Sequence, residues 1–330
     1  MRDLGSFIAY SFPKAEHLLF EDVCEENIIR LNSCRAAIYH AIRCYDVNKV
    51  WIARYQCDEV RDFLLKKGVT VLYYDMDSRF QPIFEEEVNS EDSAIVFSNY
   101  FGILGDRHFA PLIKRFRNVI IDNAQALFYP PQKGCINCYS PRKFVAAPDG
   151  AYVIGERVNR FTYETDFSSD TCQFLFMRQE YGCDMHAYAY KKENDKRIHE
   201  ADVKLMSPLT QAMLDSVDYP AVKEQRKQNF AYARTLFDRM NLLDLDRIAD
   251  DACAPMGYPL LTDFEIIPTF HEKHIYQPRY WEYILDEFPE TSLEYRLTKY
   301  MALICTDQGC GKAELDYQYD LVMQIAGGNR

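Results

Sequence analysis

The strongest constraint on this chain is a recurrence. Short, uninterrupted apolar runs alternate with segments of helical period. Val50-Trp51-Ile52-Ala53, Val69-Thr70-Val71-Leu72-Tyr73-Tyr74, Ala94-Ile95-Val96-Phe97-Ser98 and Val119-Ile120-Ile121 read as strands. A strand that is apolar at successive positions must be covered on both faces, as happens in a parallel sheet sandwiched by helices. The intervening segments supply those helices. After Ser33, a natural N-cap, Cys34, Ala37, Ile38, Ala41, Cys44 and Tyr45 share one helical face. Asp58 is placed to cap a helix carrying Val60, Phe63 and Leu64 that Gly68 ends, and Asp106 to cap one carrying Phe109, Leu112, Ile113 and Phe116. The expected class is α/β, a mostly parallel sheet with helices on both faces. Such sheets bind ligands beyond the carboxyl ends of their strands. Tyr55, Asn99-Tyr100 and Asp122 to Gln125 all follow strands and are expected to converge on one crevice.

The remainder is less regular. Residues 1–30 show no period, and the polar stretch 156–205 carries no clear assignment, with Tyr188 to Arg197 an exposed loop or solvated helix end. Ser207-Pro208 opens a helix that Pro220 breaks or kinks. A second helical pattern follows through Val222, Phe230, Ala233, Phe237 and Met240, then strands at Asp263 to Pro268 and Met301 to Cys305, and a last helix over Leu315 to Ile325. With 330 residues, 48% of them hydrophobic, the chain has room for a large domain and a small one. The expected division is 1–215 for the large domain and 216–330 for a small α+β domain.

A net charge of −12 gives no field to attract phosphate backbones or anionic lipid, so neither nucleic acid nor membrane is an expected partner. The 11 cysteines are odd in number and scattered, unlike a secreted disulfide framework. No apolar run reaches the length of a membrane span or a secretory leader, and a cytoplasmic protein is expected. Cys135 and Cys138 lack a second matching pair, and His271, Glu272 and His274 lack a further ligand, so no metal is expected at either place. Neither a dinucleotide-binding glycine fingerprint nor a Walker loop is present.

The chemistry concentrates at two points. Val119-Ile120-Ile121 delivers Asp122 and, three residues on, Gln125. Some twenty residues later a single lysine, Lys143, stands between Pro141-Arg142 and the strand-like run Phe144-Val145-Ala146. A pyridoxal phosphate enzyme needs a lysine for the aldehyde carbon, a carboxylate against the pyridine nitrogen, donors for the phosphate and a flat group against the ring. Lys143 and Asp122 supply the first two, Gln125 a partner for the ring hydroxyl. The start of the helix after Ser33 offers unpaired N–H groups to a phosphate.

At these residues the sequence resembles the DegT/DnrJ/EryC1/StrS sugar aminotransferases. Ile121-Asp122-Asn123-Ala124-Gln125 is similar to the family's Asp-x-Ala-Gln segment, Tyr139-Ser140-Pro141-Arg142-Lys143 to its Ser-Phe-x-Pro-x-Lys segment, and Ser33-Cys34-Arg35-Ala36-Ala37-Ile38 to its phosphate-side helix start. The resemblance is clear over residues 30–155 and weaker over 205–330. It implies a pyridoxal-phosphate fold of type I and a homodimer with active sites at the subunit interface. The implied reaction transfers an amino group, usually from glutamate, to a keto sugar nucleotide in surface-polysaccharide or related biosynthesis. It also implies cofactor contacts at Ser33, Cys34, Arg35, Cys138 and Ser140, with Tyr55 as the ring-stacking residue. The pattern departs from the family where Cys34-Arg35 replaces a Gly-Thr pair and Cys138 a serine. Two alternatives therefore stay open: a catalytically degenerate binding or scaffolding member, and a sugar dehydratase on the same scaffold.

Overall fold

The computed structural model describes residues 8–183, 185–250 and 254–328. Eight strands form one sheet: β1 (Ile28–Leu31), β2 (Lys49–Ala53), β3 (Thr70–Met76), β4 (Pro82–Ile83), β5 (Ala94–Ser98), β6 (Val119–Asn123), β7 (Ile136–Tyr139) and β8 (Ala151–Ile154). Their order across the sheet is β1-β8-β7-β6-β5-β2-β3-β4. β7, β6, β5, β2 and β3 are mutually parallel. β8 runs antiparallel to both β7 and β1, so two reversals bring β1 back into the common direction. Six strands therefore end on the same side of the sheet. The sheet is mixed only at β8 and at β4, which pairs antiparallel with β3.

The helices begin with α1 (Cys34–Cys44), α2 (Asp58–Lys66) and α3 (Asp106–Arg115), which alternate with the early strands as expected. Ser33 is the N-cap of α1, its Oγ accepting from the Ala36 N–H. The caps of α2 and α3 sit one residue earlier than expected, at Cys57 and Gly105. Asp58 and Asp106 instead occupy the first helical positions, where a carboxylate meets the positive end of the helix dipole. Both faces of the sheet are buried, and the alternation along each strand shows it. Ile120, Val50, Ile52, Ala94 and Val96 join the apolar cluster beneath α1 and α2. Val119, Ile121, Trp51, Ala53, Ile95 and Phe97 join the larger cluster on the opposite face, which runs on to Leu315 and Val322 near the C-terminus.

The stretch after the lysine differs from the sequence reading. Phe144-Val145-Ala146 is not a strand. It follows a short 3-10 turn over Pro141–Lys143, and the strands that flank the lysine are β7 and β8. The polar stretch contains α4 (Gln173–Tyr181) and α5 (Met185–Glu200), so Tyr188 to Arg197 is helix. α5 docks through a buried polar network. Arg197 contacts Asp149 at 2.6 Å and Asp166 at 3.0 Å, and Asn194 donates to the Pro148 carbonyl at 2.7 Å. Ser168 and Thr210 also donate to Asp149, which is fully buried.

The later part contains α6 (Pro208–Asp215), α7 (Tyr219–Phe237), α8 (Leu245–Ile248), α9 (Ile267–Glu272), α10 (Ile284–Glu287), α11 (Leu293–Tyr300) and α12 (Lys312–Gly328). β9 (Tyr258–Leu261) pairs antiparallel with β10 (Met301–Ile304). The strand expected over Asp263 to Pro268 instead leads into α9, because Pro268 suits a first helical turn and cannot donate to a ladder. No helix among the described residues is long and apolar enough to cross a membrane.

Candidate active site

The parallel strands deliver their polar ends to one cleft. Asp122 stands near the end of β6 and is buried, at 7% exposure. Alternation puts it on the side of Ile120, toward α1. Its Oδ1 accepts from the Ala124 N–H at 2.9 Å and from the Cys34 thiol at 3.6 Å. Its Oδ2 accepts from Gln56 Nε2 at 3.1 Å, and Ser98 Oγ at the end of β5 fixes that amide by donating to Gln56 Oε1 at 2.6 Å. Gln125 Oε1 accepts from the Phe101 N–H at 2.7 Å, which leaves its amide nitrogen as the donor for the cleft.

Lys143 closes the short turn after β7, lines the same cleft, and makes no hydrogen bond or ion pair with any described residue. Ser140 also lines the cleft, and its hydroxyl has no partner within the described chain. Ser33, Cys34 and Arg35 bring the N-terminus of α1 to the wall. Helical geometry leaves the N–H groups of that first turn without intrahelical partners. Trp281 and Tyr100 add aromatic surface. Burial, with Asp122 and Cys138 nearby, pushes the Cys34 thiol well above the usual range. Burial likewise raises the Cys57 thiol, against the opposing pull of Lys143. Both thiols line the wall as neutral groups.

Three expected contacts are placed elsewhere. Tyr55 is sealed at 0% exposure, its hydroxyl donating to the Tyr280 carbonyl at 2.8 Å, so it has no face for a ligand. It backs Trp281 instead, with ring centroids 4.8 Å apart. Cys138 pairs in register with Asp122 but is fully buried in the apolar cluster beneath α1. Arg35 borders the cleft, yet its Nη2 donates to the Ile198 and Ala201 carbonyls at the end of α5, and its Nη1 lies 3.5 Å from His199 Nδ1 and 3.9 Å from Glu59 Oε2. Helix C-termini present such unpaired carbonyls, and a guanidinium satisfies them well. Arg142 also lines the cleft, as do Gln56, Ser98 and Trp281, which were not among the site residues singled out from the sequence. Gln56 and Ser98 follow the strand-end rule that found Asp122. Trp281, more than 150 positions away, carries no such local signal.

No protein-family model and no curated protein matches the sequence. Solved structures do match in fold. DesI, determined in the presence of its TDP-sugar product, superposes with a TM-score of 0.62 at 16% identity, over 91% of this chain and 80% of its own. Spr1654 of Streptococcus pneumoniae in its PLP form gives 0.60 at 13% identity, over 91% and 87%. A DegT DnrJ EryC1 StrS aminotransferase from Brucella abortus gives 0.57 at 12% identity, over 90% and 85%. The chain has the fold of the sugar aminotransferases. The expected type I pyridoxal-phosphate architecture is thereby the observed one, over nearly the whole length.

Proposed function

We propose that this protein is a pyridoxal-phosphate-dependent aminotransferase acting on a keto sugar nucleotide, with glutamate as the amino donor. The observation that carries the reading is the pairing, in one cleft, of a buried and fully hydrogen-bonded Asp122 with an unpartnered Lys143. The donor set fits the cofactor. Asp122 suits a protonated pyridine nitrogen, the Gln125 amide a ring hydroxyl, and the first turn of α1 with the free Ser140 hydroxyl a phosphate. Trp281 or Tyr100 takes the ring-stacking role that Tyr55 cannot. When bound, the cofactor supplies an electron sink that makes a proton on the amino-bearing carbon removable. Lys143 then has two tasks: to hold the aldehyde carbon and, once released, to move that proton as a general base. Asp122 faces the pyridine nitrogen, and Gln56 and Ser98 keep its carboxyl group oriented.

Residues 1–215 form the cofactor-holding part in this reading and residues 216–330 the small part. The working unit is a homodimer. α4 buries none of its residues, and Phe167, Phe176, Tyr181 and Tyr188 on or beside α4 and α5 are more than half exposed. Large apolar side chains exposed to that degree support an interface on this side.

The test is reconstitution with pyridoxal 5′-phosphate followed by borohydride reduction and peptide mass spectrometry. Attachment at Lys143 is expected, with loss of attachment and of amino transfer in Lys143→Ala. A protein that takes up no cofactor overturns the reading. Cofactor attachment without any transfer from glutamate favours the binding or scaffolding alternative, and a deoxygenated rather than aminated product the dehydratase.

A further inference from the structure

Behind the cleft wall, the loop between β10 and α12 gathers a second set of reactive groups. Cys305, Asp307 and Cys310 place one donor atom each within 4.8 Å of one another, all at intermediate burial. The two sulfurs are 3.4 Å apart, and Cys305 Sγ is 3.2 Å from Asp307 Oδ2. We propose that Cys305, Asp307 and Cys310 form a binding site for a thiophilic divalent cation of the zinc type.

The geometry favours an ion over a cross-link. Tetrahedral zinc with sulfur ligands at about 2.3 Å sets two thiolates roughly 3.8 Å apart, close to the separation found, whereas a disulfide demands about 2.05 Å. Two thiolates and a carboxylate form a soft, strongly anionic set that suits zinc over magnesium or calcium. It leaves the fourth tetrahedral position to water or a ligand.

The loop is built as a scaffold for these atoms. Asn229 on α7 donates to the carbonyls of Asp307 at 2.8 Å and Cys310 at 2.9 Å. Gln318 on α12 accepts from the Cys305 N–H at 2.8 Å and donates to the Cys305 carbonyl at 3.2 Å. The Gly309 N–H holds Asp307 Oδ1 at 2.8 Å and so presents Oδ2 to Cys305. Backbone and carboxylate are thus fixed by groups that are not themselves ligands, as outer partners fix a metal site.

The same loop reaches the lysine. Gln308 Nε2 donates to the Phe144 carbonyl at 2.8 Å, and Arg226 donates both to that carbonyl at 3.2 Å and to Gln308 Oε1 at 2.9 Å. Phe144 follows Lys143 directly, so an ion that stiffens residues 305–310 steadies the turn bearing Lys143.

The test uses the reduced, full-length protein stripped with a chelator and titrated with Co²⁺ alone. One equivalent per chain is expected, with sulfur-to-cobalt charge-transfer absorption. Cys305→Ser with Cys310→Ser abolishes the signal, Asp307→Asn weakens binding roughly tenfold, and Cys24→Ser, at an exposed thiol elsewhere, leaves it unchanged. Alkylation footprinting of the wild-type protein reads the site without a variant: added Zn²⁺ protects Cys305 and Cys310 selectively. The proposal is overturned by an unchanged cobalt spectrum in the double variant or by Cys305 and Cys310 left unprotected.

Discussion

Asp122 is held by the Ala124 backbone, the Gln56 amide and the Cys34 thiol, so its position does not depend on a ligand. Asp122→Asn keeps the shape and most of these contacts but removes the charge. Amino transfer is expected to fall by about two orders of magnitude or more, with thermal stability little changed, as steady-state rates and a melting curve will check. Two buried histidines set the acid limit. Burial, reinforced at His40 by Arg43, holds His40 and His108 down to about 4. In the unfolded chain both titrate near 6.5. Between those values the unfolded state binds more protons, so the stability each neutral ring contributes is present above about pH 6.5 and is lost as the pH falls toward 4. Unfolding free energies from denaturant melts at pH 7.5 and pH 5 should differ by about 2 kcal/mol per histidine, and His108→Gln should remove its share of the difference.

At the scale of the element, the turn after β5 does as much as the strand before it. Gly102 has φ +73°, and a Cβ there would lie 2.5 Å from the Gln125 carbonyl oxygen. That approach aims the Phe101 N–H at Gln125 Oε1. Gly102→Ala is expected to destabilise the fold by about 2 kcal/mol or more and to weaken cofactor uptake, measured by thermal melting and cofactor titration. Legibility also divides at this scale. β2, β5 and β6 announce themselves through successive apolar residues, Val50–Ala53, Ala94–Phe97 and Val119–Ile121, and α1 because its apolar face and Ser33 agree. β1, β7 and β8 have four residues each, and Arg30 and Asn137 interrupt β1 and β7, which is too little for a period to emerge. The place of Asp122 in the cleft is legible because strand ends are where such sheets bind ligands, whereas Lys143 lines it from the turn after β7. The burial of Cys138 is not legible, because it depends on which face of β7 meets α1. Nor is the docking of Arg35, whose acceptors lie on α5, where no local pattern connects them.

At the scale of the molecule, the exposed aromatics of α4 and α5 offer a test of the proposed dimer. Phe176→Ser with Tyr188→Ser should convert a dimeric protein to a monomer by light scattering and lower transfer activity, while the fold persists by circular dichroism. The order of strands carries a further consequence. β1 leaves the ribosome first, yet its neighbour in the sheet is β8, and Leu31 pairs with Ala151. Until some 120 residues more have been synthesised, Ile28, Ile29 and Leu31 have no ladder to join, while β2, β3 and β5 already have one another. Such a pairing closes late and slowly. The growing chain therefore carries an unpaired apolar strand for most of the synthesis of the sheet. The step that buries it also sets α1, and with it Cys34 and Arg35, against the nearly finished cleft.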